Sequence, residues 1–188
     1  TLYLPMYNGV DSVFIGTDNY AQLLPLERNS SHKPVVFYGT SITQGASASR
    51  CGLVATATLG RFFNVETINL GFSGNGRMEK VIGDVMIQTD ASCYVVDCLP
   101  NMTKEMVNEH AFDFIKQLKT AKPNTPVILV ECSPNETGRL NKTVNNLISE
   151  KNTALKTIYQ NLIANGYNDI FYIPNDVLIG YDHEATID

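Results

Sequence analysis

Five short apolar runs, separated by helix-patterned stretches, constrain this chain more than any other feature. They are Val35-Val36-Phe37-Tyr38, Val65-Glu66-Thr67-Ile68-Asn69-Leu70, Cys93-Tyr94-Val95-Val96-Asp97-Cys98, Val127-Ile128-Leu129-Val130 and Ile170-Phe171-Tyr172-Ile173. Hydrophobicity that is continuous rather than alternating suits strands covered on both faces. Between the runs the period changes. Val107, Ala111, Ile115 and Leu118 recur at helical spacing, with Thr103 as an N-cap candidate and Lys122-Pro123 as a stop. Val144, Ile148, Leu155, Tyr159 and Leu162 form a second stripe, closed by Asn165-Gly166. The segments after Ser47 and after Arg77 complete four helices among five strands. Repeated strand–helix units with right-handed crossovers predict an α/β chain: a five-stranded parallel sheet between two helical layers, α/β/α.

The first thirty-odd residues read differently. Thr1 to Tyr7 and Val13 to Gly16 are strand-like, and Asn8-Gly9 between them is a hairpin-type turn signal. We therefore expect a short β segment over residues 1–33, either an edge hairpin or the tail of an upstream β-module, ahead of a main domain over 34–188. The chain opens at Thr1 with neither Met nor a basic stretch, so it reads as a piece of a longer protein.

Charge and cysteine usage narrow the function. Fourteen Lys and Arg against 19 Asp and Glu leave a formal charge of −5, a poor match to a phosphate backbone, so no nucleic-acid partner is expected. No apolar run approaches the roughly 20 residues of a membrane span. The four cysteines contain no Cys-x-x-Cys pair and there are only three histidines, so a zinc site is not expected. Cys93, Cys98 and Cys132 lie in apolar runs and read as buried thiols, with a Cys98–Cys132 bridge left open.

In an open parallel sheet, ligands bind beyond the carboxyl ends of the strands, near the point where strand order reverses. The residues that follow the first three strands are Gly39-Thr40-Ser41-Ile42-Thr43-Gln44-Gly45, then Gly71-Phe72-Ser73-Gly74-Asn75-Gly76, then Leu99-Pro100-Asn101-Met102. Each loop offers small residues with a hydroxyl or an amide and no cluster of charge, which suits an oxyanion better than a metal. Plainer roles exist for the same residues. Ser41 could cap or turn the chain, Gly74 could serve a turn with φ above zero, and Asn101 could cap the helix that begins near Thr103.

These three loops resemble the first three blocks of the SGNH (GDSL-type) hydrolases. Gly39-Thr40-Ser41-Ile42 is similar to the first block, with Thr40 where the family usually has Asp. Gly71-Phe72-Ser73-Gly74-Asn75 is similar to the second. Pro100-Asn101 stands where the third places its asparagine, with Pro100 and Met102 replacing the usual Gly and Asp. The resemblance runs from residue 35 to 173 and implies a flavodoxin-like α/β/α fold. It also implies a serine esterase that needs no metal or cofactor. Ser41 would be its nucleophile, and the N–H groups of Ser41 and Gly74 with the Asn101 side chain would form its oxyanion hole. The family's fourth block is Asp-x-x-His, and Asp188 falls at its Asp, so the base is expected three residues further on and the domain reads as cut at its C-terminus.

The histidines present do not substitute for that base. His183, between Asp182 and Glu184, precedes Asp188 and reads as a solvated loop residue. His32 precedes the first strand, and His110 lies mid-helix. Other chemistries fit less well. Gly74-Asn75-Gly76-Arg77-Met78-Glu79 lacks the third glycine of a dinucleotide fingerprint, no GxxxxGK[ST] loop exists, and Ser41 does not lie in a GxSxG elbow. The expected substrate is a small-molecule or carbohydrate acyl ester, by analogy a carbohydrate acetyl ester. The competing expectation is a ligand-binding module that kept the fold and lost catalysis. The analogy also suggests a secreted or periplasmic setting, while the residues themselves fix neither compartment nor oligomeric state.

Overall fold

The computed structural model describes residues 2–24 and 32–180. Its frame is a five-stranded sheet of β1 (Val35–Gly39), β2 (Thr67–Gly71), β3 (Cys93–Asp97), β4 (Val127–Val130) and β5 (Ile170–Ile173). All neighbours are parallel, in the order β2-β1-β3-β4-β5, which is the flavodoxin-like arrangement. Val36 and Tyr38 of β1, Tyr94 and Val96 of β3, and Val127 and Leu129 of β4 have no exposed surface. The continuous apolar runs follow from that burial.

Around the sheet lie α1 (Ser41–Gln44), α2 (Ala55–Phe63), α3 (Lys80–Met86), α4 (Lys104–Ala121) and α5 (Lys142–Ala164). The helix absent from the sequence-based reading is α1, a single turn too short to carry a periodic pattern. On α4 the four stripe residues Val107, Ala111, Ile115 and Leu118 are fully buried. Covering a side chain of Val, Leu or Ile size contributes roughly 1.5–3 kcal/mol, so this face fixes α4 against the sheet. Thr103 caps α4 by accepting from the Met106 N–H, and the helix ends at Lys122 ahead of Pro123. Ile148, Leu155 and Leu162 bury the matching face of α5, which closes at Asn165 with Gly166 at φ 82°.

Of the two expectations for the N-terminus, the edge hairpin does not form among the described residues. Residues 2–24 contain no strand, and Asn8-Gly9 turns no ladder. The apolar residues there resemble strands, but this segment contacts helices one hydrogen bond at a time instead of pairing along a ladder. The Arg61 guanidinium of α2 donates to the Tyr3 hydroxyl at 2.8 Å and lies 5.4 Å from the ring centre. Gln44 of α1 donates to the Met6 carbonyl at 2.9 Å.

Candidate active site

The strand order reverses between β1 and β3, so the crevice at the carboxyl end of the sheet opens where β1 and β3 finish. Ser41 follows β1 and Asn101 follows β3. At the first of these ends, Thr40 is fully buried and acts as the N-cap of α1, its hydroxyl accepting from the Ile42 N–H at 3.4 Å. Capping thus falls to Thr40, not Ser41. The Ser41 hydroxyl has no hydrogen-bond partner among the described residues. Its N–H, at the first helical position, has no intrahelical acceptor either.

The loop after β2 is drawn tightly over this turn. The Phe72 N–H donates to the Gly39 carbonyl at 3.0 Å, and the Ser73 N–H donates to Gln44 Oε1 at 2.9 Å. Gly76, at φ 72°, packs so closely that a Cβ there would run into the Gly39 carbonyl. Gly74 also sits at φ 72°, but with open space around it. Among the described residues, the Gly74 N–H has no acceptor.

Asn101 ends a short 3-10 turn, Leu99–Asn101, and its amide Nδ2 donates to the Asn75 carbonyl at 2.6 Å. That bond ties the third loop to the second. An Asn amide nitrogen carries two hydrogens, so one fixes the side chain and the other stays available to a ligand. The helix-capping role open to Asn101 in the sequence is filled by Thr103. The structure therefore brings the Ser41, Gly74 and Asn101 loops into one linked cluster. Asp188 and His183 lie outside the described residues.

A cavity of about 680 Å³ adjoins the cluster. Ile42 and Pro100, the neighbours of Ser41 and Asn101, are among its walls, with Val144, Ile148, Lys151 and Ile179.

Two carboxyl groups behind the loops differ in environment. Burial would raise the Glu79 carboxyl, but hydrogen bonds from the Tyr38 hydroxyl and the Arg77 N–H outweigh it and hold Glu79 below the usual range. Glu79 thereby staples the end of the second loop to β1. Asp97, at the end of β3, accepts from Thr43 Oγ1 of α1 at 3.1 Å, and burial pushes its carboxyl from 3.8 up to about 7. A carboxyl that binds its proton more tightly when folded stabilises the fold at low pH, and that contribution is lost as pH rises from about 4 through about 7. The full difference is at most about 4 kcal/mol. Asp97→Asn should therefore melt higher than the parent protein at pH 8 and match it near pH 4. Melting curves that differ equally at both pH values would show that the carboxyl ionises freely in the fold.

His110 is engaged elsewhere, its Nδ1–H donating to the Arg77 carbonyl at 2.9 Å. All four cysteines are free thiols, with Cys98 and Cys132 buried and Cys51 and Cys93 partly so. Among the described residues, no three His, Cys, Asp or Glu side chains gather as a metal ion would require. No described helix is long and apolar enough to cross a membrane.

Two supporting residues of this cluster have no role that the sequence alone assigns. Gln44 joins the Met6 carbonyl to the Ser73 N–H, and Lys151 reaches the Leu99 carbonyl at 2.8 Å. Lys151 did carry a signal: it falls three residues after Ile148 and four before Leu155, a cationic position inside an apolar stripe.

A parallel α/β/α sheet with small-residue loops gathered at its switch point places the chain among the doubly wound α/β proteins, which bind ligands at this edge. Within that class, the chain belongs to the GDSL-like lipase/acylhydrolase family, which it matches over residues 32–188. No curated protein is similar enough in sequence to count as a match. Among solved structures, the chain is 35% identical to a protein from Bacteroides ovatus assigned to the GDSL-like lipases, with a TM-score of 0.78 over 83% of this chain. It spans 46% of that protein. The salicylyl-acyltransferase SsfX3 from a tetracycline biosynthetic pathway is 15% identical with a TM-score of 0.68, over 78% of this chain and 44% of its own. A family two carbohydrate esterase from Clostridium thermocellum, in complex with cellohexaose, is 13% identical with a TM-score of 0.55, over 82% and 55%. The last two likenesses are of fold.

Proposed function

We propose that this domain is the catalytic part of a serine esterase that cleaves acyl esters through a covalent acyl-enzyme. The observation that supports it most is the set of three donors on three tied loops: the Ser41 N–H, the Gly74 N–H and the second hydrogen of the Asn101 amide. Donors held in place before substrate arrives stabilise charge that develops only in the transition state.

In this reading Ser41 Oγ attacks the ester carbonyl while a general base takes its proton. The carbonyl oxygen becomes an oxyanion among the three donors. Collapse breaks the bond to the alcohol, which leaves with the proton, and water then hydrolyses the acyl-Ser41 ester by the same steps. Asp188 is assigned the acid that orients the base, following the family's Asp-x-x-His order. The cavity walled by Ile42 and Pro100 holds the group on one side of the ester. An acylated carbohydrate is the substrate class we favour, because a carbohydrate esterase shares the fold.

The test is turnover of a short-chain aryl ester and of an acetylated oligosaccharide by the full-length protein, with acid and alcohol release both measured. Equal release of the two is expected. Saturable binding of the oligosaccharide with no release of acid would identify a binding module instead.

A further inference from the structure

We propose that Lys151 is a positioning residue for the oxyanion hole, its ammonium fixing the Leu99–Pro100 backbone so that the Asn101 amide is correctly placed. The inference rests on the reading of Asn101 as an oxyanion donor.

Lys151 sits on α5 with only 9% of its surface exposed. Its Nζ donates to the Leu99 carbonyl at 2.8 Å and lies 3.5 Å from the Pro100 carbonyl, contacts that span more than fifty residues of sequence. Removing an ammonium from water is unfavourable unless its hydrogens find acceptors, and no carboxylate among the described residues forms an ion pair with it. Ile148 and Leu155, one turn to either side on the stripe, are apolar, so a leucine or methionine would satisfy packing there.

What the ammonium holds is one turn. The Leu99 carbonyl accepts from the Met102 N–H at 3.0 Å as well as from Lys151, so both of its acceptor sites are used. Asn101 is then fixed from two directions: its backbone through Lys151 and its side chain through the Asn75 carbonyl. Both links end on protein carbonyls, although Lys151 also lines the cavity assigned to the ester. Together they determine where the second amide hydrogen points.

A lysine that only stabilised the fold would alter melting and leave chemistry alone, so the experiment separates the two through coupling. In the full-length protein, with a short-chain aryl ester, Lys151→Met should lower kcat by about 10- to 100-fold and change KM less than about threefold, the mark of an interaction lost in the transition state. In the Asn101→Ala background, which alone should lower kcat by roughly 10²–10³, Lys151→Met should cost less than about fivefold more, because the amide through which it acts is already gone. Lys151→Gln, which keeps a donor on a shorter stem, repeats the comparison if the methionine variant does not fold. Lys151→Arg, which keeps charge and donors, should restore kcat to within about threefold of the parent.

Folded Lys151 variants that keep the parent kcat, or in which Asn101→Ala retains its whole effect, would overturn the proposal. Should Asn101→Ala leave kcat unchanged in the parent protein, the oxyanion reading itself fails and this inference falls with it. The two failures are thus distinguishable.

Discussion

Ser41→Ala in the full-length protein is expected to abolish hydrolysis of a short-chain aryl ester and to leave melting nearly unchanged. The expectation follows from where Ser41 stands. Thr40, not Ser41, caps α1, and the Ser41 hydroxyl bonds to nothing among the described residues, so removing it disturbs no contact. A substitution of that kind usually changes stability by no more than about 0.5 kcal/mol. Loss of a nucleophile removes the covalent route altogether, leaving roughly 10³–10⁴-fold acceleration over water from binding and the oxyanion hole. Steady-state kinetics beside a melting curve decides it. A mutant that retains turnover excludes Ser41 as the nucleophile.

The second large effect is at Asn101. If its free amide hydrogen meets the developing oxyanion, Asn101→Ala should lower kcat by roughly 10²–10³ and change KM little. The variant also loses the 2.6 Å bond to the Asn75 carbonyl, so a modest fall in melting temperature accompanies the kinetic loss. That bond contributes about 0.5–1.5 kcal/mol, too little to account for the kinetic effect by unfolding. A destabilised mutant with intact kcat would leave Asn101 a loop tie and nothing more.

The parts of this architecture that could be read from the sequence share one physical property: local pattern and tertiary burial agree there. The runs at Val35–Tyr38 and Val127–Val130 are continuously apolar because helices cover both faces of the sheet, and the α4 stripe repeats at helical spacing because a single face is buried. Ser41, Gly74 and Asn101 could be singled out because each lies in a loop that follows a strand, where topology gathers loops, and because those loops resemble the family's blocks. The N-terminal segment misled for the opposite reason. Residues 2–7 and 13–16 are apolar enough to pass for strands, but composition alone cannot supply a ladder partner, and Tyr3, Met6 and Tyr7 engage α1 and α2 through side-chain hydroxyls and one backbone carbonyl.

The supporting residues were hidden because they act over long sequence separations. Lys151 reaches back to Leu99, and Asn152 beside it brackets Cys132, accepting from its N–H at 2.9 Å and donating to its carbonyl at 3.1 Å. Glu131 is likewise buried, accepting from the Tyr172 hydroxyl and from the Asn175 N–H at 2.8 Å. Each pairing joins elements whose proximity only the folded sheet creates. A polar residue inside an apolar stripe was the available sign, at 151 and again at 152. Such a sign marks a constraint without naming the partner.

Whether Ser41 is an activated nucleophile decides the function proposed for this domain, and covalent trapping tests it without reference to any particular substrate. A fluorophosphonate reacts with an activated serine by forming an Oγ–P bond and expelling fluoride, and the adduct can be located by peptide mass spectrometry. With the full-length protein, a single adduct is expected on the peptide containing Ser41, absent from Ser41→Ala and slowed in Asn101→Ala. An adduct on another residue, or an unlabelled Ser41 in a protein that still hydrolyses esters, would contradict it.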